Sequence, residues 1–269
     1  MRSLGALITN RSIMASHYDL TVSSCSQLSR HMRRIKLQGE DLSSFPRDQA
    51  SGYVKLSLED ENGRRVKRSY TIREFDGDTL TLDFADHQPL GPASRWAQSA
   101  LPGSVIRVFG PGEKKLADPN ADWFFFGGDI SSLPAISVNL EALKASAVGY
   151  AVISVPHESD KQSLVHPAGV QLIWVIDSAI TKPTLALTEK IRSLEWLEGV
   201  PYPWFAGEFE GMRDMRRFFR DEMKIDRKNM YLSCYWKTGT SDEGMKRAKF
   251  LDAEEDLKKF DVATPKLGI

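Results

Sequence analysis

The chain is poor in the groups from which most catalytic centres are assembled. It has only two cysteines, Cys25 and Cys234. They stand far apart with no CxxC or metal-type spacing, which argues against a disulfide framework and fits a reducing compartment. Its five histidines, at 17, 31, 87, 157 and 166, form no HExxH pair, so no metal centre is expected. There is no GxSxG elbow, no GxGxxG and no GxxxxGK[ST] loop. No run of eighteen apolar residues is present to span a bilayer. The apolar run at the N-terminus is too short for a secretory signal and is interrupted by Thr9, Asn10 and Arg11. Thirty-six basic residues cancel thirty-six acidic ones, so no global field draws the chain to nucleic acid or an anionic membrane. The expectation is a cytoplasmic monomer with neither of those partners.

What is present is enough apolar material for one or two real cores: 269 residues, 41% of them hydrophobic. Two textures divide the chain. Up to residue 117 it reads as six short strands, rich in β-branched and aromatic residues, with turns such as Glu61-Asn62-Gly63 between them and one helical insert, "PASRWAQSAL". That pattern predicts an antiparallel β-barrel over 1–117. From "DWFFFGGD" onward buried-type strands alternate with helices, which predicts a doubly wound parallel sheet over 118–269. The polar stretch "EKKLADPNAD" carries the boundary. An amphipathic tail from residue 241 reads as a C-terminal helix that could cap the sheet or fold over the barrel.

Four stretches could carry chemistry. In "VKRSYTIREFD" neither face of the strand is a clean core face. Arg68 offers a planar fork for a phosphate, Tyr70 a flat ring with a polar tip, and Thr71 a hydroxyl beside it. An exposed strand ladder would explain the same positions. In "LDFADHQPLGPASRWA" a strand runs through a turn into a helix opened by Pro92. The small residues Gly91, Ala93 and Ser94 would let an anion approach the free N–H groups there, although an ordinary capped turn reads the same way. "FFFGGDISSLPAIS" describes the crevice at the carboxyl end of a parallel strand, or simply a tight turn. "PWFAGEFEGMRDMRRFF" is a second such junction, and its Arg213, Arg216, Arg217 and Arg220 read as a solvated helix face.

Taken in order, the runs R-S-Y-T-I-R at 68–73, D-F-A-D-H at 83–87, G-P-A-S-R-W-A at 91–97, G-D-I-S-S-L-P-A-I at 128–136, W-F-A-G-E at 204–208 and Y-L-S-C-Y-W-K-T-G at 231–239 resemble the siderophore-interacting protein family of ferric-siderophore reductases, a branch of the ferredoxin-reductase-like flavoproteins. The resemblance implies an FAD-binding barrel followed by an NAD(P)H-type α/β domain. It implies Arg68 and Arg73 in the cofactor set, with Arg68 on the FAD phosphates, Tyr70 against the isoalloxazine and Thr71 at its reactive edge. Asp83, Ala85 and His87 would run along the cofactor, and Pro92, Ala93 and Ser94 would hold the pyrophosphate. Tyr235 or Trp236 would cover the other flavin face. The donor region would comprise Gly128, Asp129, Ser132, Gly207 and Glu208. Ile130, Ser131 and Ser132, and the run from Cys234 to Lys237, depart from the family pattern in that domain, so the donor stays open among NADH, NADPH and a ferredoxin-type protein.

The implied activity is FAD-dependent reduction of a ferric siderophore, releasing Fe(II), with no catalytic acid or base from the protein and no protein-bound metal. Lys55, Lys237 and Arg247 are the expected basic groups for an anionic chelate. A general flavin-dependent NAD(P)H oxidoreductase and a non-catalytic siderophore carrier are the rivals.

Overall fold

Strand alternation sets the inside of the first unit. The computed structural model describes residues 17–86, 90–178, 185–240 and 242–263, with side chains described up to 256 except at 242; His87 lies outside them. Strands β1 (His17–Ser29), β2 (Met32–Gln38), β3 (Tyr53–Glu59), β4 (Arg65–Phe75), β5 (Thr79–Ala85) and β6 (Val105–Gly112) close in the order β1-β2-β5-β4-β3-β6. All neighbours are antiparallel, and closure leaves no exposed edge. Alternate residues such as Leu20, Ile35, Leu56, Ile72, Leu82 and Val108 fill the interior. Helix α1 (Pro92–Ser99) turns Ala93, Ser94 and Ala97 inward and packs on β3 and β5. A β-bulge after Ile72 resets the phase of β4 against β5.

The second unit begins at β7 (Trp123–Asp129) and continues through α2 (Leu133–Ala142), β8 (Val148–Val155), β9 (Gly169–Ile176), α3 (Leu185–Arg192), β10 (Pro201–Glu208), α4 (Phe209–Arg216), β11 (Tyr231–Trp236) and α5 (Asp242–Ala263). The five strands run parallel in the order β11-β10-β7-β8-β9. Both faces are covered, which is why the strands read as unbroken apolar runs. Phe124, Phe126, Ile153 and Trp204 pack on one side with α2, and Phe125, Val152 and Phe205 on the other with α3 and α4. The chain winds from β7 outward through β8 and β9, then crosses to β10. The crevice at the carboxyl ends of β7 and β10 is therefore the topological switch point, the usual ligand position in such sheets. The connection from β8 to β9 contains only a 3₁₀ turn at Glu158–Asp160.

The barrel and the sheet are tied by specific contacts. Leu28, Met32 and Ala85 of the barrel pack into the core on the α2 side of the sheet. Asp160, fully buried, accepts from the His31 amide at 2.7 Å, the Ser29 hydroxyl at 3.0 Å and the His31 ring Nδ1 at 2.6 Å. Arg73 on β4 pairs with Glu141 on α2, and the Trp204 indole donates to the Lys115 carbonyl at 2.8 Å.

The arginines after β10 correct one expectation. They are not simply a solvated face, because α5 lies against them. Arg216 forks onto Asp252 at 2.8 and 2.6 Å, Arg213 Nε reaches the same carboxylate at 3.0 Å, and Arg220 reaches Asp256 at 2.7 Å. The C-terminal helix is thus held to α4 and the turn after it, and also touches β11.

Candidate flavin site

Tyr70 lies on the inner side of β4, its ring 4.3 Å from that of Phe84 and tilted 31° to it; Phe84 in turn meets Trp96 of α1 at 5.6 Å. Burial pushes the Tyr70 phenol well above its ordinary range; Arg68 opposes this and Asp86 adds to it. At the start of α1 the Ser94 side chain is fully buried, and its Oγ has no hydrogen-bond partner among the described residues. Asp86 Oδ1 is likewise buried and unpartnered among them. Gly91, the N-cap, supplies no side-chain cap. A ring platform, a guanidinium and a hydroxyl waiting at an uncapped helix N-terminus fit a flavin nucleotide with its phosphates at α1.

The phase along β5 differs from the expectation. The β5 residue beside Tyr70 is the even one, Phe84. Asp83 points the other way and takes a forked bond from Arg34 at 2.7 and 2.8 Å, and Ala85 faces the sheet domain. Alternation sends neighbours to opposite faces, so the Asp83 and Ala85 side chains lie on the face of β5 away from Tyr70 and Phe84 on the face toward it. Arg73 is likewise engaged with Glu141.

Across the gap, β11 delivers Tyr235 to the barrel. Its hydroxyl shares hydrogen bonds with Thr71 and Tyr231, and burial raises its phenol strongly. Trp236, the residue assigned to the cofactor, points the other way, and its indole donates to Asp129 Oδ2 at 2.8 Å. Tyr231 stacks on Trp204 at 5.1 Å, with the Lys115 ammonium 6.0 Å from its ring. The sequence reading passed over Lys115 and Tyr231. Lys115 stood in what read as a linker, although its basic pair with Lys114 was the available signal.

At the switch point Asp129 and Glu208 are both buried. Asp129 accepts from the Ser131 amide at 2.9 Å and the Glu208 amide at 3.1 Å; burial nevertheless holds its carboxyl above the usual range. Glu208 caps α4, accepting from Glu210 N at 2.6 Å and Gly211 N at 3.3 Å, and also takes Thr238 N at 3.1 Å. The glycines there accommodate the chain itself. A Cβ on Gly128 would come within 2.0 Å of Ser132 Oγ, and one on Gly207 within 2.6 Å of Asp129 Oδ2. Burial pushes the Cys234 thiol up to about 12.

The expected basic groups are spread over three elements. Lys55 is exposed on β3, 6.0 Å from the Tyr53 ring. Lys237 sits 3.3 Å from Glu210 and 4.4 Å from the Phe209 ring. Arg247 is exposed on α5.

Barrel, parallel sheet and ring platform together define a two-domain flavoprotein of the ferredoxin-reductase type. The fold is shared with phthalate dioxygenase reductase (TM-score 0.62, 14% identity, covering 84% of this chain and 70% of that one). Residues 21–67 and 59–115 match the siderophore-interacting FAD-binding domain, and residues 121–239 match the siderophore-interacting protein model. The chain is 30% identical to the ferric vibriobactin reductase ViuB of Vibrio cholerae, over 86% of this chain and 93% of that one. It superimposes on the siderophore-interacting protein SipS of Aeromonas hydrophila with a TM-score of 0.79 at 33% identity, covering 89% of this chain and 99% of that one. The chain belongs to the siderophore-interacting protein family.

Proposed function

We propose that this protein reduces the ferric iron of a siderophore, so that the weaker ferrous chelate releases its metal. The observation that carries this reading is the array of Arg68, Tyr70 and the unpartnered Ser94 hydroxyl, in a chain related to a ferric-siderophore reductase. When bound, FAD supplies the redox chemistry, taking electrons from a donor and passing them to Fe(III). The side chains bind and orient. Arg68, Ser94 and the N–H groups of α1 hold the phosphates, and Tyr70 presents a flat face. Thr71 and Tyr235 close the edge against water, and their burial keeps the tyrosine hydroxyls neutral. No side chain has to move a proton for electron transfer to iron.

The substrate's negative charge gives the lysines their role. Lys55, Lys237 and Arg247 draw an anionic ferric chelate to the mouth of the cleft, and Lys115 joins them there. Lys55→Glu combined with Lys237→Glu raises KM for an anionic ferric siderophore several-fold and leaves a small neutral acceptor unchanged. Equal KM values for both acceptors in variant and wild type would refute the basic pocket.

The donor side favours a small iron–sulfur protein over a dinucleotide. Ser131 and Ser132 at the start of α2 are hydrogen-bonded to Asp129, and the N-terminus of α4 is capped by Glu208. Two buried carboxylates thus lie where dinucleotide phosphates would otherwise meet helix N-termini. In the same assay, NADH and NADPH reduce the flavin more slowly than a ferredoxin-type donor; saturable, fast reduction by NADPH would reverse this assignment.

A further inference from the structure

Between the barrel and the sheet domain lies a cavity of about 250 Å³. Its floor is formed by Arg34 of β2, Arg73 of β4 and Asp83 of β5. Their neighbours Ile35, Ile72 and Leu82 point into the barrel, so these three point out of it. One wall is the side of α2 that carries Pro134, Ser137 and Glu141, which share a face by helical spacing. The roof is the segment 162–165. It is anchored at both ends. Before it, buried Asp160 accepts from His31 and Ser29 of the barrel; after it, the Val170 amide donates to the Pro167 carbonyl at 3.0 Å. The cavity is therefore preformed.

Charge in the cavity is balanced. Arg34 forks onto Asp83 at 2.7 and 2.8 Å, and Arg73 forks onto Glu141. An added ion would lack a counter-charge in a partly buried place, which disfavours it. Hydrogen-bonding capacity is not balanced. Each guanidinium gives two of its five N–H donors to its carboxylate and keeps the others. Gln162 Nε2 is buried and has no partner among the described residues. The Ser137 hydroxyl donates to the Leu133 carbonyl at 2.8 Å, which leaves its oxygen as an acceptor. Leu28, Met32 and Leu164 add apolar surface beside these groups.

We propose that this cavity binds a small neutral amide with a short aliphatic body. The amide carbonyl meets Gln162 Nε2 and the spare guanidinium N–H groups, its N–H meets Ser137 Oγ, and its carbons lie against Met32 and Leu164. Such a ligand touches both domains at once and stabilises the assembled chain by binding it. The site is separate from the flavin, because Asp83 lies on the face of β5 away from Tyr70 and Phe84.

Butyramide, butyrate and butylammonium share an aliphatic body and differ in charge. Each is added to the full chain, flavin-free and FAD-loaded, and followed by saturation-transfer NMR and by the melting temperature. Butyramide is expected to bind and to raise the melting temperature in both forms, with the two ions about tenfold weaker or worse. Gln162→Leu removes an unpartnered donor, so it keeps the melting temperature of the ligand-free protein. It loses about tenfold in butyramide affinity, the scale of one or two hydrogen bonds. An ion that binds as tightly as butyramide overturns the neutral-ligand assignment, and so does butyramide affinity that survives Gln162→Leu. Displacement of butyramide by FAD would give the cavity to the cofactor and overturn the proposal. Absence of butyramide binding in both forms overturns it as well.

Discussion

Burying a hydroxyl without a partner costs about 1–3 kcal/mol, and Ser94 does so at the start of α1. Ser94→Ala removes that penalty in the flavin-free protein. Its melting temperature is therefore expected to stay level or rise, while FAD affinity falls about tenfold, since hydrogen bonds to charged groups contribute about 1.5–3 kcal/mol. A calorimetric melt and a flavin titration check the two halves separately; unchanged FAD affinity would remove Ser94 from the site. The helix start at Gly91-Pro92 was legible, because Pro suits the first helical position. The facing of β5 was not. Whether odd or even residues of β5 face Tyr70 depends on pairing and twist, and the bulge after Ile72 is not announced by any residue in "YTIREF". The same one-residue phase decided between Tyr235 and Trp236 on β11.

At the scale of elements, the strands and helices followed from alternation and from the shift to helical spacing after Asp122. The position of α5 did not. Arg213, Arg216, Arg217 and Arg220 fall on one helical stripe that the sequence displays plainly. Asp252 and Asp256, the partners of Arg213, Arg216 and Arg220, stand some forty residues later, and nothing local connects the two. Asp252 is only 8% exposed and receives two guanidiniums. Breaking such a buried pair costs about 3 kcal/mol, because the arginines keep their charge. Asp252→Asn is expected to lower stability by about 2–3 kcal/mol in a urea melt and to open α5 to limited proteolysis within 242–263. Cleavage no faster than in the wild type would mean that apolar contacts alone hold the helix.

For the whole molecule, a barrel followed by a doubly wound sheet was legible because the two patterns differ over long segments. The seam between them was hidden, since it rests on isolated residues such as His31, Asp160, Arg73 and Glu141. Burial works against ionisation of Asp160, but bonds from the His31 ring, the His31 amide and Ser29 outweigh it and hold the carboxyl below its ordinary value. A carboxylate with a depressed folded value stabilises fully above the unfolded value and loses that contribution as the pH falls below about 4. Asp160→Asn is therefore expected to cost about 2 kcal/mol at a constant level from pH 5 to 8, with the gap to the wild type closing below pH 4. Urea melts across that range would show it, and a gap that widens on acidification would contradict the assignment.

Transfer of electrons from a flavin held by this barrel to the iron of a ferric siderophore can be followed in one anaerobic experiment. The FAD-loaded protein is reduced chemically and mixed with a panel of ferric siderophores and a ferrous trap, and the flavin bands are followed. Rapid flavin reoxidation is expected, with Fe(II) appearing in the trap in proportion. A flavin that stays reduced in the presence of every chelate would contradict it.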